Sequence, residues 1–362
     1  MDRVRQSAPQ LAQITPYDPK YIPAEAYMSA NENPHDVDED VRRAIERRIK
    51  NVELNRYPDP LANELRDAIA EANGLDRDWV LIGNGGDELL FDTALAWGGP
   101  GRTFLNMPPT FSVYEANARL LNTTVLEVPR DRENEYALDE EHVLELMSGP
   151  TSEVDFTIIS NPNNPTGLMT SFEFLEKLLA STDALVMVDE AYFEFSRQTM
   201  RPHLEAHKNL VILRTFSKAF SLAGVRLGYI LAHPEVIDEY KKVRQPYSVD
   251  AVSQAIGSVV YEHRSTFVPA IDEIISERDR MYEALRVIPG VMPYKSQSNW
   301  LLFKMADAEQ AWEALYEAGI LVRDFSSAPG LEGTLRVSVG TKEQNDRFLL
   351  CLRDFALRKQ ED

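Results

Sequence analysis

The sequence predicts an α/β fold: a large domain on a mostly parallel sheet, with a smaller α+β domain formed by the C-terminal part and an N-terminal arm. Three observations carry this expectation. Short runs rich in branched apolar residues alternate with helical segments from about residue 79 to residue 232. Those runs are nearly continuous in hydrophobic residues, as strands covered on both faces are. After Pro246 the alternation gives way to a long helical region and then to three strand-like runs.

Taken in order, the first 35 or so residues hold no long periodic segment and read as an arm. Helical spacing follows at 38–50 and 61–73, then the run WVLI at 79–82, which ends in GNGG. A helix is expected to start near Asp87, with Asp87 and Glu88 in its first turn. TFLN (103–106), TVLEV (124–128), FTIIS (156–160), ALVMVD (184–189), NLVILRTF (209–216) and RLGYILA (226–232) read as strands. Helices at 112–121 and 172–180 lie between several of them. The C-terminal part reads as helical from about 250 to 288, then NWLLFKM (299–305), a helix at 307–318, ILVRDF (320–325), LRVSVG (335–340) and a closing helix at 342–358. The expected divisions are an arm at 1–35, a large cofactor-binding domain at 36–248 and a small domain at 249–362.

Composition narrows the function. The formal net charge of −20 repels phosphate backbones and anionic membranes, so neither nucleic acid nor membrane is an expected partner. An anionic substrate would need Arg or Lys concentrated in its pocket against that field. The lone Cys351 allows no disulfide within the chain and no cysteine-based metal site, and it fits a reducing compartment. The N-terminus lacks the apolar core of a signal peptide, and the expected location is cytoplasmic.

Ligands of parallel α/β sheets collect at the carboxyl ends of the strands, and five segments there carry chemistry. GNGGDE at 83–88 offers Gly85, Gly86 and the free N–H groups of a helix start, which suit a phosphate or form a plain strand-to-helix turn. SNPNNPTG at 160–167 forces an irregular turn, in which Asn164 is either a turn former or a hydrogen-bond donor to a ligand. DEAY at 189–192 ends an apolar strand in two carboxylates; Asp189 is either a helix cap or the partner of a protonated pyridine nitrogen, with Tyr192 able to reach the same ligand. TFSKAF at 215–220 sets Lys218 between Phe216 and Phe220, where it is either an ordinary solvated lysine or an amine that partial desolvation makes nucleophilic. GVRLGY at 224–229 places Arg226 eight residues beyond Lys218, for a surface ion pair or a bidentate hold on phosphate. Together these supply what pyridoxal 5'-phosphate (PLP) requires: phosphate donors, an Asp for the ring nitrogen, Asn and Tyr for the phenolic oxygen, and a lysine amine. No Walker-A lysine and no GxGxxG pattern is present, which disfavours a nucleotide site and a dinucleotide oxidoreductase.

With those strings in hand, the chain resembles the fold type I PLP-dependent aminotransferases, and within them the histidinol-phosphate aminotransferases. The likeness runs from ITPY (14–17) to LRVSVG and includes SANENP (29–34), RYPDP (56–60), GNGGDEL (83–89), PPTF (108–111), SNPNNPTG, VDEAY, RTFSKAFSLAGVRLGY (214–229) and ILVRD (320–324). The resemblance implies that Lys218 holds PLP covalently, that Asp189 pairs with the pyridine nitrogen, and that Asn164 and Tyr192 reach the phenolic oxygen. It implies that Gly86, Asp87, Ser217 and Arg226 hold the phosphate and that Phe111 stacks on the ring. Tyr57 would reach the phosphate of the other subunit of a homodimer, and Arg336, helped by Arg323 and Tyr17, would bind the anionic group of the substrate. Catalysis would fall to Lys218, Asp189 and Tyr192, with glutamate as amino donor and imidazole acetol phosphate as acceptor. Phe111 stands where many members carry Tyr, and so lacks a hydroxyl that would touch a substrate phosphate. Aromatic amino acid aminotransferases and threonine-phosphate decarboxylases share the cofactor residues and are the competing readings. A non-catalytic regulator on the same fold is disfavoured, because no basic helix-turn-helix segment precedes the fold.

Overall fold

The computed structural model describes residues 7–14, 22–149 and 151–361. A short strand, β1 (Ala26–Met28), precedes the helices α1 (Glu39–Ile49) and α2 (Asn63–Asn73). Then β2 (Val80–Asn84) runs into α3 (Gly85–Trp97), β3 (Thr103–Asn106) is followed by α4 (Val113–Leu120), and β4 (Thr124–Glu127) by α5 (Glu140–Met147). Next come β5 (Phe156–Ser160), α6 (Phe172–Ser181), β6 (Leu185–Asp189), the single turn α7 (Phe193–Ser196), β7 (Leu210–Thr215) and β8 (Leu227–Ala232). These strands form a seven-stranded sheet in the order β2-β8-β7-β6-β5-β3-β4. From β7 to β4 all neighbours are parallel, and β8 is antiparallel to both β2 and β7.

Strand β6 shows why these residues form a central sheet. Every one of its positions is buried. Leu185 and Met187 join the apolar cluster on one face, while Val186 and Val188 join the cluster on the other. That two-residue period is the pleat itself. The flanking helices start on side-chain caps: Asp38 accepts the Val41 N–H at 2.8 Å, and Ser171 accepts the Phe174 N–H at 3.2 Å.

The rest of the chain builds a second sheet. Helices α8 (Pro234–Val243), α9 (Ala251–Glu262) and α10 (Val268–Arg286) lead to β9 (Met292–Pro293), β10 (Trp300–Lys304), α11 (Ala308–Glu317), β11 (Ile320–Asp324), β12 (Thr334–Ser338) and α12 (Lys342–Glu361). Its order is β1-β11-β12-β10-β9, with β1 parallel to β11. The arm is thereby stitched into the C-terminal sheet, Ala26 lying opposite Ile320.

The elements β1, β9, α5, α7 and α8 are not among the sequence expectations, and two of the expected helices differ in detail. The helix after GNGG begins at Gly85, two residues before Asp87, and Gly85 itself takes a φ of 75° that favours glycine. The helical region at 250–288 is broken into α9 and α10 by a 3-10 turn at Arg264–Phe267, and Pro269 fits the open first turn of α10. Helix α9 packs on α1 and α2, and a Cβ on Gly257 would come within 2.5 Å of the Leu227 side chain. We propose the division at residue 248 on the basis of the two sheets, with α9 lying against the large one. Among the described residues no helix is long and apolar enough to cross a membrane.

Candidate active site

The carboxyl ends of β5, β6 and β7 open onto a cavity of about 1080 Å³, closed on its other side by residues of β11, β12 and the loop between them. Lys218 enters it three residues after the end of β7. Its Nζ donates to the Ala30 carbonyl at 2.9 Å and lies 5.8 Å from the centre of the Tyr192 ring. The side chain keeps partial access to solvent through the cleft, yet protein surrounds the amine. Burial, reinforced by the nearby Arg336 guanidinium, pushes Lys218 down from 10.5 to about 8. An unpaired amine in that range is a usable nucleophile and base near neutral pH.

Asp189 ends β6 and faces the same cavity. Its Oδ2 accepts the Tyr114 hydroxyl at 2.6 Å and its Oδ1 accepts the Ala191 N–H at 3.0 Å. Burial pushes the carboxyl up to about 6, although both hydrogen bonds favour the charged form. Tyr114, on α4, is itself held well above the usual phenol range by burial and by the Asp189 charge, so it is a donor at neutral pH.

Around this pair stand the remaining expected residues. Asn164 Oδ1 accepts from Arg336 Nη1, which leaves the Nδ2 amide as a donor towards a ligand. The Tyr192 hydroxyl accepts from Asn31 Nδ2 at 3.1 Å. Phe111 lines the cavity and meets the Tyr114 ring edge to face at 5.6 Å. Arg336 and Arg323 are register partners across β12 and β11, and both guanidinium groups lie near the Phe325 ring, at 5.6 and 5.8 Å. Arg336 also donates through Nη2 to the Ser29 carbonyl at 2.8 Å.

The phosphate end is built by glycine. A Cβ on Gly228 would lie 2.7 Å from the Gly85 carbonyl carbon, so only glycine lets β8 press against the start of α3. Above that start sits Arg226, whose Nη2 donates to Asp87 Oδ2 at 2.9 Å and whose Nη1 donates to Ser217 Oγ at 3.4 Å. A helix start, a hydroxyl and a guanidinium converge there, a combination that suits a phosphate.

Two expected residues stand apart from the cleft. Tyr57 is 81% exposed and stacks on Tyr247 at 4.6 Å between ring centres. Tyr17 lies outside the described residues. Conversely, reading the strand ends missed two residues. Tyr114 showed only as part of an amphipathic helix, and its partner is 75 positions away. Asn31 was one letter of SANENP; its φ of 54° turns the chain at the joint between the sheets. There its N–H donates to Ser338 Oγ at 2.9 Å and its carbonyl accepts from Asn299 at 3.0 Å.

This donor set suits PLP: an amine for its aldehyde, a buried carboxylate with no cationic partner among the described residues for its ring nitrogen, an amide and a phenol beside them, and donors suited to its phosphate. The family model for aminotransferase class I and II matches residues 26–351. The chain belongs to that family. Class I and II aminotransferases work through PLP, and so does this enzyme. Among curated relatives, the chain is 38% identical to histidinol-phosphate aminotransferase 1 of Carboxydothermus hydrogenoformans, over 96% of this chain and 98% of that one. Histidinol-phosphate aminotransferase of Chlorobium chlorochromatii is 38% identical over 90% of this chain and 89% of the relative. The fold matches the crystal structure of histidinol-phosphate aminotransferase from Sinorhizobium meliloti in complex with pyridoxal-5'-phosphate, with a TM-score of 0.87, 21% identity and 99% of both chains covered.

Proposed function

We propose that this aminotransferase moves an amino group between histidinol phosphate and 2-oxoglutarate, in the direction that makes histidinol phosphate from imidazole acetol phosphate and glutamate for histidine biosynthesis. The observation that carries the reading is the near end-to-end likeness to a histidinol-phosphate aminotransferase, at 38% identity. The cleft agrees with it: Arg323 and Arg336 put positive charge beside Lys218 in a chain of net charge −20, as an anionic substrate requires.

In this reading PLP, when bound, supplies an aldehyde for the amine and a ring that accepts the charge left on a deprotonated carbon. The protein's residues do the rest. Lys218 Nζ takes a proton from the α-carbon of the amino donor and returns one to the acceptor in the second half-reaction. Asp189 would stay ionised and pair with the ring nitrogen, keeping it protonated. Asn164 and Tyr192 would donate to the phenolic oxygen, and Phe111 would pack against the ring. Gly86, Asp87, Ser217 and Arg226 hold the cofactor phosphate, while Arg336 and Arg323, with Tyr17, hold the anionic part of the substrate.

The functional unit is a homodimer in the cytoplasm. Tyr57 supports this reading, because it is largely exposed and lies outside the cleft of its own chain, which leaves it open to a neighbouring subunit.

The deciding experiment is a half-reaction panel on the holoenzyme with histidinol phosphate, phenylalanine and phosphothreonine. The expected kcat/KM for histidinol phosphate exceeds that for phenylalanine by about 100-fold or more, a difference of about 2.7 kcal/mol. Faster turnover of phenylalanine, or release of carbon dioxide from phosphothreonine, overturns the substrate assignment. Lys218→Ala is expected to abolish both turnover and the borohydride-reducible cofactor absorbance, and wild-type turnover in that variant overturns the role of Lys218.

A further inference from the structure

Arg130 is an arginine that the mechanism above does not use. It follows edge strand β4, and its backbone N–H donates to the Pro108 carbonyl at 2.6 Å, which ties it to the loop that carries Phe111. The residue is only 7% exposed, and it lines the same cavity as Lys218. Among the described residues no hydrogen bond or ion pair engages its guanidinium, and Nε is buried without any partner. Burial pushes it down to about 10, and no carboxylate is close enough to offset this.

The neighbouring arginine shows what an ordinary outcome looks like. Arg132 spends its guanidinium on Glu332, through the carboxylate and, at 2.7 Å, the main-chain carbonyl. That bridge ties the segment after β4 to the loop between β11 and β12, where Leu331 is buried and lines the same cavity as Arg130. An unpaired guanidinium in such a place is costly, because arginine cannot shed its proton to escape. A ligand that brings an oxyanion recovers that cost and meets a fork already fixed in place.

Topology says which end of the ligand is concerned. The donors suited to the cofactor phosphate lie at β2, β8 and β7, whereas Arg130 follows β4 at the opposite edge of the sheet. Four strand spacings separate β7 from β4, about 19 Å at ~4.8 Å per strand, and Lys218 and Arg130 reach inward from either side. The guanidinium therefore addresses the substrate side of the cleft, away from the cofactor phosphate.

We propose that Arg130 is a substrate-binding residue, whose guanidinium receives a substrate oxyanion other than an α-carboxylate: a phosphate monoester, which it would share with Arg336 and Arg323 of the same cavity, or a side-chain carboxylate. The proposal rests on the transaminase reading of the cleft and not on which substrate is the physiological one.

The test uses the holoenzymes of the parent, Arg130→Met and Arg130→Lys. Four quantities are measured: KM for histidinol phosphate, glutamate and phenylalanine, and competitive inhibition by inorganic phosphate. In Arg130→Met, KM for at least one of the two doubly functional substrates is expected to rise about 10- to 100-fold relative to phenylalanine, the size of a lost charge-assisted pair. Inhibition by phosphate weakens by a similar factor, and Arg130→Lys recovers part of both losses. A rise confined to histidinol phosphate identifies a phosphate monoester as the ligand, and one confined to glutamate identifies the side-chain carboxylate. The melting temperature without substrate does not fall in Arg130→Met, since an unpaired buried charge has gone. KM values that rise together for all three substrates, or phosphate inhibition unchanged in a folded Arg130→Met, overturn the proposal. If the parent enzyme does not use histidinol phosphate, the proposed function fails, while the glutamate and inorganic phosphate measurements still decide the role of Arg130.

Discussion

Asp189 and Glu190 are neighbours at the end of β6, both buried, and they meet opposite fates. Pleating turns Asp189 to the side of Leu185 and Met187, towards α4 and the cleft, and turns Glu190 to the side of Val186 and Val188. On its side Glu190 is saturated: Arg214 Nε donates at 3.0 Å, Thr199 Oγ1 at 2.8 Å and the Met200 N–H at 2.6 Å. Arg214 is there by the same parity, two positions beyond Ile212 on β7 and opposite Tyr229 on β8. Among the described residues Asp189 receives one hydroxyl and one N–H and no cation. One carboxylate is therefore finished by the fold, and the other is left charged and under-compensated for a ligand to finish. The price of readiness is stability, and the two residues should separate cleanly when each is neutralised.

Asp189→Asn is the most damaging test for activity. Turnover is expected to fall on the order of 10³-fold, because the group proposed to keep the ring nitrogen protonated is lost. The cofactor-free protein should nevertheless melt higher at pH 8. Its folded-state carboxyl titrates near 6, above the ordinary 3.8, so the ionised form opposes folding above pH 6. That penalty fades as pH falls from 6 to 3.8, and the melting advantage of the variant should fade with it. A lower melting temperature for Asp189→Asn at pH 8 breaks the contrast.

Glu190→Gln should do the reverse. Removing one member of a buried, hydrogen-bonded ion pair is expected to destabilise by about 3 kcal/mol, seen as a lower midpoint in urea. Turnover per folded molecule should stay near wild type. A large loss of kcat with unchanged stability would move Glu190 to the catalytic side of the comparison.

A third measurement concerns the base that faces Asp189 across the cleft. The rate at which cofactor-free enzyme captures PLP should rise with pH through a midpoint near 8, not near 10.5, as Lys218 loses its proton. Arg336→Met should move that midpoint upward, since the guanidinium is the second cause of the depression after burial. A midpoint unmoved by that change would leave burial, with the smaller contribution of Arg226, as the cause.

The smallest effect is expected for Tyr114→Phe. It removes the only side-chain donor to Asp189 among the described residues, with little change in volume. A loss of about tenfold in kcat/KM fits a single hydrogen bond to a charged group, and the acid limb of the pH–rate profile should move upward as Asp189 becomes harder to ionise. No movement of that limb would mean that Ala191 and the cofactor alone hold Asp189.

Most of the strands and helices, and the residues proposed to hold the cofactor, were legible in the sequence, because each depends on local information; the short strands β1 and β9 were not. FTIIS and TFLN are strands at the residues read, since continuous apolar runs bounded by turn formers have one low-energy use in a sheet covered on both faces. Lys218, Asp189 and Asn164 were legible because each follows such a run, and strand ends in a parallel sheet share one edge. Tyr114 was not, because the phase of α4 against β6 is fixed by packing between elements 75 residues apart. Nor was the pairing of Glu190 with Arg214, which needs the register that sets β6 beside β7.

By itself, then, the sequence determined which residues could do chemistry and which edge of the sheet would gather them, because pleat, turn chemistry and strand ends are local properties. Only the tertiary structure decided which of two adjacent acids is satisfied, which tyrosine holds the other, and which arginine is buried without a partner. Those outcomes depend on desolvation and on neighbours far away in the chain, and no spacing along it encodes them.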